Sequence, residues 1–321
     1  MGEKMEKFYV EGDYTNICCL SNLNYSIKDD LQKQMYEYMK VTMEPKEVTD
    51  YTVVIAKSIP KLSLYELLNG KKIYFDKRKK IIYTELGNCS DTKGIVYIKR
   101  LIESLRNRIL ESKGGIFLHA SAISIGNDVC IFIGNKEAGK TTTMLNYLSH
   151  GNADYVANNR ICLFPKNETI KVIGSPTNIG VHYDTILNNE ILKEKFKDIE
   201  DKKDNEGRIL ISLNELKNRL NIYEKPIANL KNVFYLQHGN KKNIDLRKIS
   251  FEQIINNIEG QVVDGVFSEN SILKNTYDVN QNSLYQMLKN KSISYFTFIQ
   301  DGDCTKMLQK VLEERQVENE I

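Results

Sequence analysis

Between an apolar, β-branched run, Val129-Cys130-Ile131-Phe132-Ile133, and a stretch with Met144, Leu145 and Leu148 at helical spacing lie eight residues: Gly134-Asn135-Lys136-Glu137-Ala138-Gly139-Lys140-Thr141. A buried strand, a loop of the form G-x-x-x-x-G-K-[ST] and then a helix leave few folding options. Gly134 and Gly139 let the backbone curl so that successive N–H groups point inward at an anion. The helix running from Thr142 to Ser149 adds its unsatisfied N–H groups and its dipole, and Gly151 supplies the stop signal. Lys140 brings a point charge suited to β- and γ-phosphates, and Thr141 a hydroxyl suited to Mg²⁺. The whole segment from Gly134 to Thr142 is therefore the expected seat of a nucleotide, ATP or GTP, with magnesium on Thr141.

The strand before the loop is entered in an unusual way. Gly115 to Ile125 is a second extended, largely apolar run, and only Gly126-Asn127-Asp128 separates it from Val129. Three residues cannot make a parallel crossover, which needs about a dozen. The two runs are expected to form an antiparallel hairpin, so the sheet should be mixed. After Gly151, Tyr155-Val156-Ala157 reads as a strand, Asn158-Asn159 as a polar pair at its end, and Ile161 to Phe164 as a second strand. Polar side chains at a strand end beside such a loop are well placed to meet a metal or an attacking group.

Leu118-His119-Ala120-Ser121-Ala122, the hairpin, Gly134 to Thr141 and Val156-Ala157-Asn158-Asn159-Arg160 together resemble the HPr kinase/phosphorylase superfamily, which is related in fold to the nucleotide domain of PEP carboxykinase. The resemblance is strong over about fifty residues, Gly114 to Phe164. A weaker echo continues through Gly174-Ser175-Pro176 and Ser212-Leu213-Asn214-Glu215-Leu216 to the strand near Val233. It implies an α/β fold with a mixed-sheet P-loop kinase core. It also implies an ATP- and Mg²⁺-dependent transfer of phosphate to a hydroxyl, that of a serine on a peptide or small protein, with a homo-oligomer compatible with the family. By the same resemblance His119, Lys140 and Asn159 occupy catalytic positions.

One departure is chemical. Where the family usually has one or two aspartates, one of them the base for the acceptor serine, this chain has Asn158 and Asn159. An amide cannot take a proton as a carboxylate does. Three readings follow: a kinase working at reduced rate without this base, a substitute carboxylate at Glu137 or Asp154, or a regulatory protein that binds nucleotide without turning it over. Glu137 also reads as a solvent-facing loop residue, and Asp154 as a turn residue or strand-start cap. His119 reads either as a neutral imidazole serving the phosphates or a neighbouring acid, or as a buried histidine bonded to backbone. Arg160 reads as a phosphate contact or as a surface strand-end residue.

At 321 residues and 41% hydrophobic, the chain can bury one good core and a smaller second one. Residues 1–90 read as a separate α+β domain, with a helix carrying Leu31, Met35 and Met39, a strand at Tyr51 to Ala56, a short helix from Leu62 to Leu68, and a hairpin of Ile73-Tyr74-Phe75 with Ile81-Ile82-Tyr83. Residues 91–321 read as the nucleotide-binding domain. It begins with a helix marked by Ile98, Leu101, Ile102, Leu105 and Ile109, its basic residues solvated, and ends with a helix through Met307, Leu308, Val311 and Leu312. The charge-dense segment Lys193 to Arg208 reads as an exposed loop or a flap over the nucleotide.

A net charge of +3 does not call for nucleic acid, and Lys77-Arg78-Lys79-Lys80 reads as a solvated hairpin turn. The cysteines at 18, 19, 89, 130, 162 and 304 form no C-x-x-C pair and the four histidines are dispersed, which fits a reducing cytoplasm and no metal cluster. No leader, membrane span or myristoylation signal is expected, since Glu6 stands where the last of these needs Ser or Thr.

Overall fold

Short apolar runs, Phe8-Tyr9-Val10, Ile17-Cys18-Cys19-Leu20 and Val53-Val54-Ile55-Ala56, recur along the early part of the chain, the pattern of largely buried strands. The computed structural model describes residues 5–23, 25–35, 38–58, 66–68, 71–86, 92–151, 153–175, 177–199, 203–204, 206–238, 245–264 and 281–300. Chain contacts divide it into two units, Met1–Gly115 with Asp264–Asp278, and Ile116–Val263 with Val279–Ile321.

In the first unit, β1 (Glu6–Gly12), β2 (Thr15–Ser21), β3 (Met39–Thr42), β4 (Tyr51–Ala56), β5 (Glu66–Leu68), β6 (Lys71–Asp76) and β7 (Ile81–Glu85) form one sheet. Its order is β3-β1-β2-β4-β7-β6-β5. The pairs β2–β4 and β4–β7 are parallel and the others antiparallel. Phe8, Val10, Ile17, Cys19, Val53 and Ile82 pack with α1 (Lys28–Met35) and α2 (Thr92–Ser112) in one core.

Several expectations change here. Met39 lies in β3 rather than on the helix of Leu31 and Met35, and Glu66–Leu68 is a strand because it pairs with β6; residues 62–65 lie outside the described ones. The expected terminal helix at 307–312 also lies outside them. The apolar stripe of α2 is buried in the first unit's core, so the division falls after Gly115 and not at residue 90. Nor are the basic residues of α2 all solvated. Arg106 is 1% exposed, its guanidinium 5.4 Å from the centre of the Tyr38 ring, and buried Arg108 pairs with Glu111 and with Asp264 at 3.0 Å. Their charge is matched inside the unit, which hydropathy patterning along one helix does not report.

The second unit is built on the expected hairpin. Strands β8 (Ile116–Leu118), β9 (Ser121–Ile125), β10 (Asp128–Ile133), β11 (Asp154–Ala157), β12 (Ile161–Lys166), β13 (Thr169–Gly174), β16 (Ile227–His238), β17 (Asp245–Ile249) and β18 (Ser294–Gln300) share a mixed sheet, while β14 (Ile179–His182) and β15 (Arg208–Ile211) form a separate antiparallel pair. Ile125 pairs with Asp128, so the turn is Gly126-Asn127, with Gly126 at φ 58° in the place where a two-residue hairpin loop calls for glycine. On its other edge β10 runs parallel to β16, and β16 parallel to β18.

The run Gly115–Ile125 is not one strand. It breaks at His119-Ala120, where the His119 N–H donates to the Gln261 carbonyl at 2.8 Å; β8 then pairs with β12 and β9 with β10 and β11.

β10 is buried on both faces, which is why its sequence is a continuous apolar run. Val129, Ile131 and Ile133 join residues of α7 (Phe251–Glu259) and α8 (Gln281–Leu288) in one cluster. Phe132 lies in a row with Phe234 and Phe296, ring centres 5.6 and 5.0 Å apart. Helix α3 (Lys140–Ser149) packs on β9 and β10 and ends at Gly151, φ 72°. Helices α4 (Tyr183–Leu187), α5 (Glu190–Lys195) and α6 (Leu213–Leu220) follow; α6 starts at a capping box of Ser212 and Glu215 and ends at left-handed Asn221.

At the end of β13 an ideal Cβ on Gly174 would stand 2.3 Å from the Val156 carbonyl oxygen, so the backbones of β13 and β11 touch only because residue 174 has no side chain. Gly174→Ala is expected to lower stability by at least about 2 kcal/mol, read as a shift in the denaturation midpoint, whereas Gly180→Ala, with open space around its Cβ and no positive φ, should lose far less.

Candidate functional site

The segment after β10 is bent by its glycines. Gly134 has φ 151° and Gly139 φ 85°, and a Cβ at 134 would lie 2.6 Å from the Leu236 carbonyl of β16. Glu137 also takes a positive φ, 66°. Gly139 is the N-cap of α3 and carries no side chain, so no side chain caps the helix and its first-turn N–H groups have no intrahelical acceptor. Such an end attracts anions.

Lys140, 8% exposed, folds back beneath the segment; its Nζ donates to the carbonyls of Gly134 at 2.8 Å and Asn135 at 3.0 Å. Burial holds this ammonium below its ordinary pKa. Lys136 and Glu137 are exposed, 3.9 Å apart.

Asn158 is the polar hub. It is 6% exposed, and its Oδ1 accepts from Ser121 Oγ at 2.7 Å and Thr141 Oγ1 at 3.1 Å, while its Nδ2 is buried without a partner. It thus ties β9, α3 and the end of β11 together. Asn159 follows with φ 72°, a left-handed conformation that asparagine tolerates better than most residues. Its carbonyl oxygen lies 2.9 Å from His119 Nδ1. Because a carbonyl only accepts, Nδ1 carries the proton and Nε2 keeps its lone pair. Burial foremost, then the Lys140 charge and, more weakly, Arg160, hold this imidazole below its ordinary value of 6.5, against the upward pull of the Asn159 carbonyl.

Several of these residues line a cavity of about 990 Å³, at the large end of the range for small-molecule sites. His119, Lys136 to Thr142 and Asn159 form one side of it; Gly134, Asn135, Asp154, Asn158 and Arg160 are not among the lining residues. The other side comes from Gly180 and His182 of β14, Thr185 of α4, Arg208 and Leu210 of β15, and Asp204 just before it. Of these only Asp204 and Arg208 fall in a segment the sequence marks, Lys193 to Arg208, read there as an exposed loop or a flap over the nucleotide. Thr185 Oγ1 is 3.0 Å from Thr142 Oγ1 and links α4 to α3. The available signal was the alternation in Ile179-Gly180-Val181-His182 and Arg208-Ile209-Leu210-Ile211.

Among the described residues two carboxylates line the cavity, Glu137 and Asp204. Asp204 Oδ1 accepts the backbone N–H groups of Arg208 and Glu206, foremost that of Arg208, and its pKa is held below the usual range. It is therefore a poor proton acceptor. Among the described residues no group of three or more His, Cys, Asp and Glu is arranged to hold a metal. The residues that fit a metal-bound polyphosphate are Thr141, with a lone pair left over, Lys140 and the N–H groups of the loop.

No protein-family model matches this chain, and no curated protein matches it. Among solved structures, the Hpr(Ser) kinase/phosphatase from Coxiella burnetii is similar over 64% of this chain and 99% of that one, at 10% identity and a TM-score of 0.34. The architecture, α/β with mixed sheets, is compatible with an α/β nucleotide-binding fold. No described helix is long and apolar enough to cross a membrane.

Asn158→Leu is expected to strand two hydroxyls, those of Ser121 and Thr141, and to cost about 2–3 kcal/mol in chemical denaturation; Asn158→Asp, which still accepts both, should cost less.

Proposed function

We propose that this chain is an HPr-kinase-like phosphotransferase that binds ATP or GTP with Mg²⁺ on Gly134–Thr142 and transfers the γ-phosphoryl group to a hydroxyl, that of a serine on a peptide or small protein. The observation that carries the reading is that a buried, loop-bound Lys140 and a His119 whose Nδ1 is tied to the Asn159 carbonyl line one cavity. Lys140 would leave its two carbonyl partners for the phosphates and oppose the charge of the transferring group. Thr141 would hold magnesium, which supplies charge neutralisation when bound.

His119 takes over the part that Asn158 and Asn159 cannot play. Its Nε2 lone pair accepts the proton of the attacking hydroxyl as the oxygen–phosphorus bond forms, and the bond from the γ-phosphorus to the bridging oxygen breaks to release the nucleoside diphosphate. The Asn159 carbonyl, fixed by its left-handed backbone, holds the ring in the tautomer this needs.

A second reading, a regulatory nucleotide-binding protein with little transfer, is supported by the Asn158 hub, where an amide engages the Thr141 hydroxyl. The two separate on transfer or nucleotide hydrolysis measured against pH. A base whose pKa lies below 6.5 is free over the neutral range, so kcat/KM should rise through a midpoint below pH 6.5 and stay level above it. His119→Gln should lower the plateau by about 10²–10⁴ and remove that midpoint. A wild-type profile with no acid limb, or a fully active His119→Gln, rules out this role. Binding without turnover, with activity gained in Asn159→Asp, favours the regulatory reading.

A further inference from the structure

Thr141 and Thr142 are consecutive on α3 and diverge: Thr141 turns to Asn158, Thr142 to Thr185. If Thr141 marks the metal and the terminal phosphates, as in the proposed function on which this inference rests, the rest of a nucleotide extends past Thr142 toward α4 and the antiparallel pair β14–β15. That pair has one buried face, Ile179, Val181, Ile209 and Ile211, and one exposed face, on which Gly180 pairs with Leu210 and His182 with Arg208. All four exposed-face residues line the same cavity as the loop.

The chemistry of this face differs from that of the loop. Leu210 is 64% exposed, a large apolar side chain on the wall of the cavity away from the loop's phosphate-binding groups. Opposite it, a Cβ on Gly180 would meet nothing within 4 Å, so the space above the strand is open. Arg208 is already compensated: its Nε lies 3.3 Å from Asp204 Oδ2 and its Nη2 2.8 Å from Glu206 Oε2. A guanidinium so neutralised is a weak phosphate ligand but still offers a planar stacking surface. An apolar side chain, a gap the thickness of a missing side chain and a charge-balanced planar group suit a flat, uncharged heteroaromatic ring.

We infer that the exposed face of the β14–β15 pair is the nucleoside subsite, with the base of the nucleotide lying over Gly180 against Leu210 while its phosphates lie on Gly134–Thr142. The loop grips the phosphates and the strand pair grips the base, so the two can be separated by a ligand that has only the first.

Binding of Mg-ATP and of magnesium tripolyphosphate is compared by calorimetry in the wild-type chain, Leu210→Ser and Gly180→Leu. The wild type should bind ATP more tightly than tripolyphosphate. Each variant should weaken ATP about tenfold or more and leave tripolyphosphate within about twofold, with unchanged thermal melting. Equal affinity of the wild type for the two ligands, or variants that leave ATP untouched or weaken both alike, overturns the subsite while the loop reading stands. Failure of the wild type to bind either ligand removes the phosphate-loop reading and this inference together.

Discussion

The turn after β10 exists because residue 134 has no side chain. Its backbone lies so close to the Leu236 carbonyl that a methyl group would collide with β16, and that contact anchors the loop to the neighbouring parallel strand. With Gly134 held there, the chain curls through two left-handed positions, Glu137 and Gly139, before α3 begins. Lys140 then has carbonyls to fold back on, and Thr141 falls within reach of Asn158. The sheet positions the loop, and the loop positions the two side chains on which the chemistry depends.

Polar groups at the site are held by one another rather than by solvent. Asn158 joins Ser121 to Thr141, and the Asn159 backbone fixes His119. Two asparagines therefore do different work: the first serves through its side chain as a buried acceptor, the second through its backbone conformation. A buried hub of this kind costs free energy unless its partners are in place, so it favours one arrangement of β9, α3 and β11 over the alternatives.

Much of this was legible in the sequence. The loop pattern, the hairpin forced by the short Gly126-Asn127-Asp128 connection, one residue longer than the turn that forms, and the strand–Asn-Asn–strand passage are local signals, readable because backbone geometry dictates residue type. What was not legible depends on partners distant in the chain. The break at His119-Ala120 follows from pairing with Gln261, the burial of Arg106 and Arg108 from acidic and aromatic neighbours elsewhere in their unit, and the strand at Glu66–Leu68 from β6. The second wall of the cavity was hidden for another reason. Arg208 and Asp204 sit in a charge-dense stretch that reads as exposed loop or as a flap over the nucleotide, and the pairing of β14 with β15 is what brings them to the cavity.

The central claim is that the segment between β10 and α3 is a seat for nucleotide phosphates gripped by Lys140. Calorimetric titration of the wild-type chain and of Lys140→Ala with Mg-ATP tests it most directly. The account predicts saturable one-to-one binding by the wild type and a loss of at least about tenfold in the variant, whose fold, judged by its melting transition, is retained. Equal affinity in the two proteins, or no binding by the wild type, would contradict it.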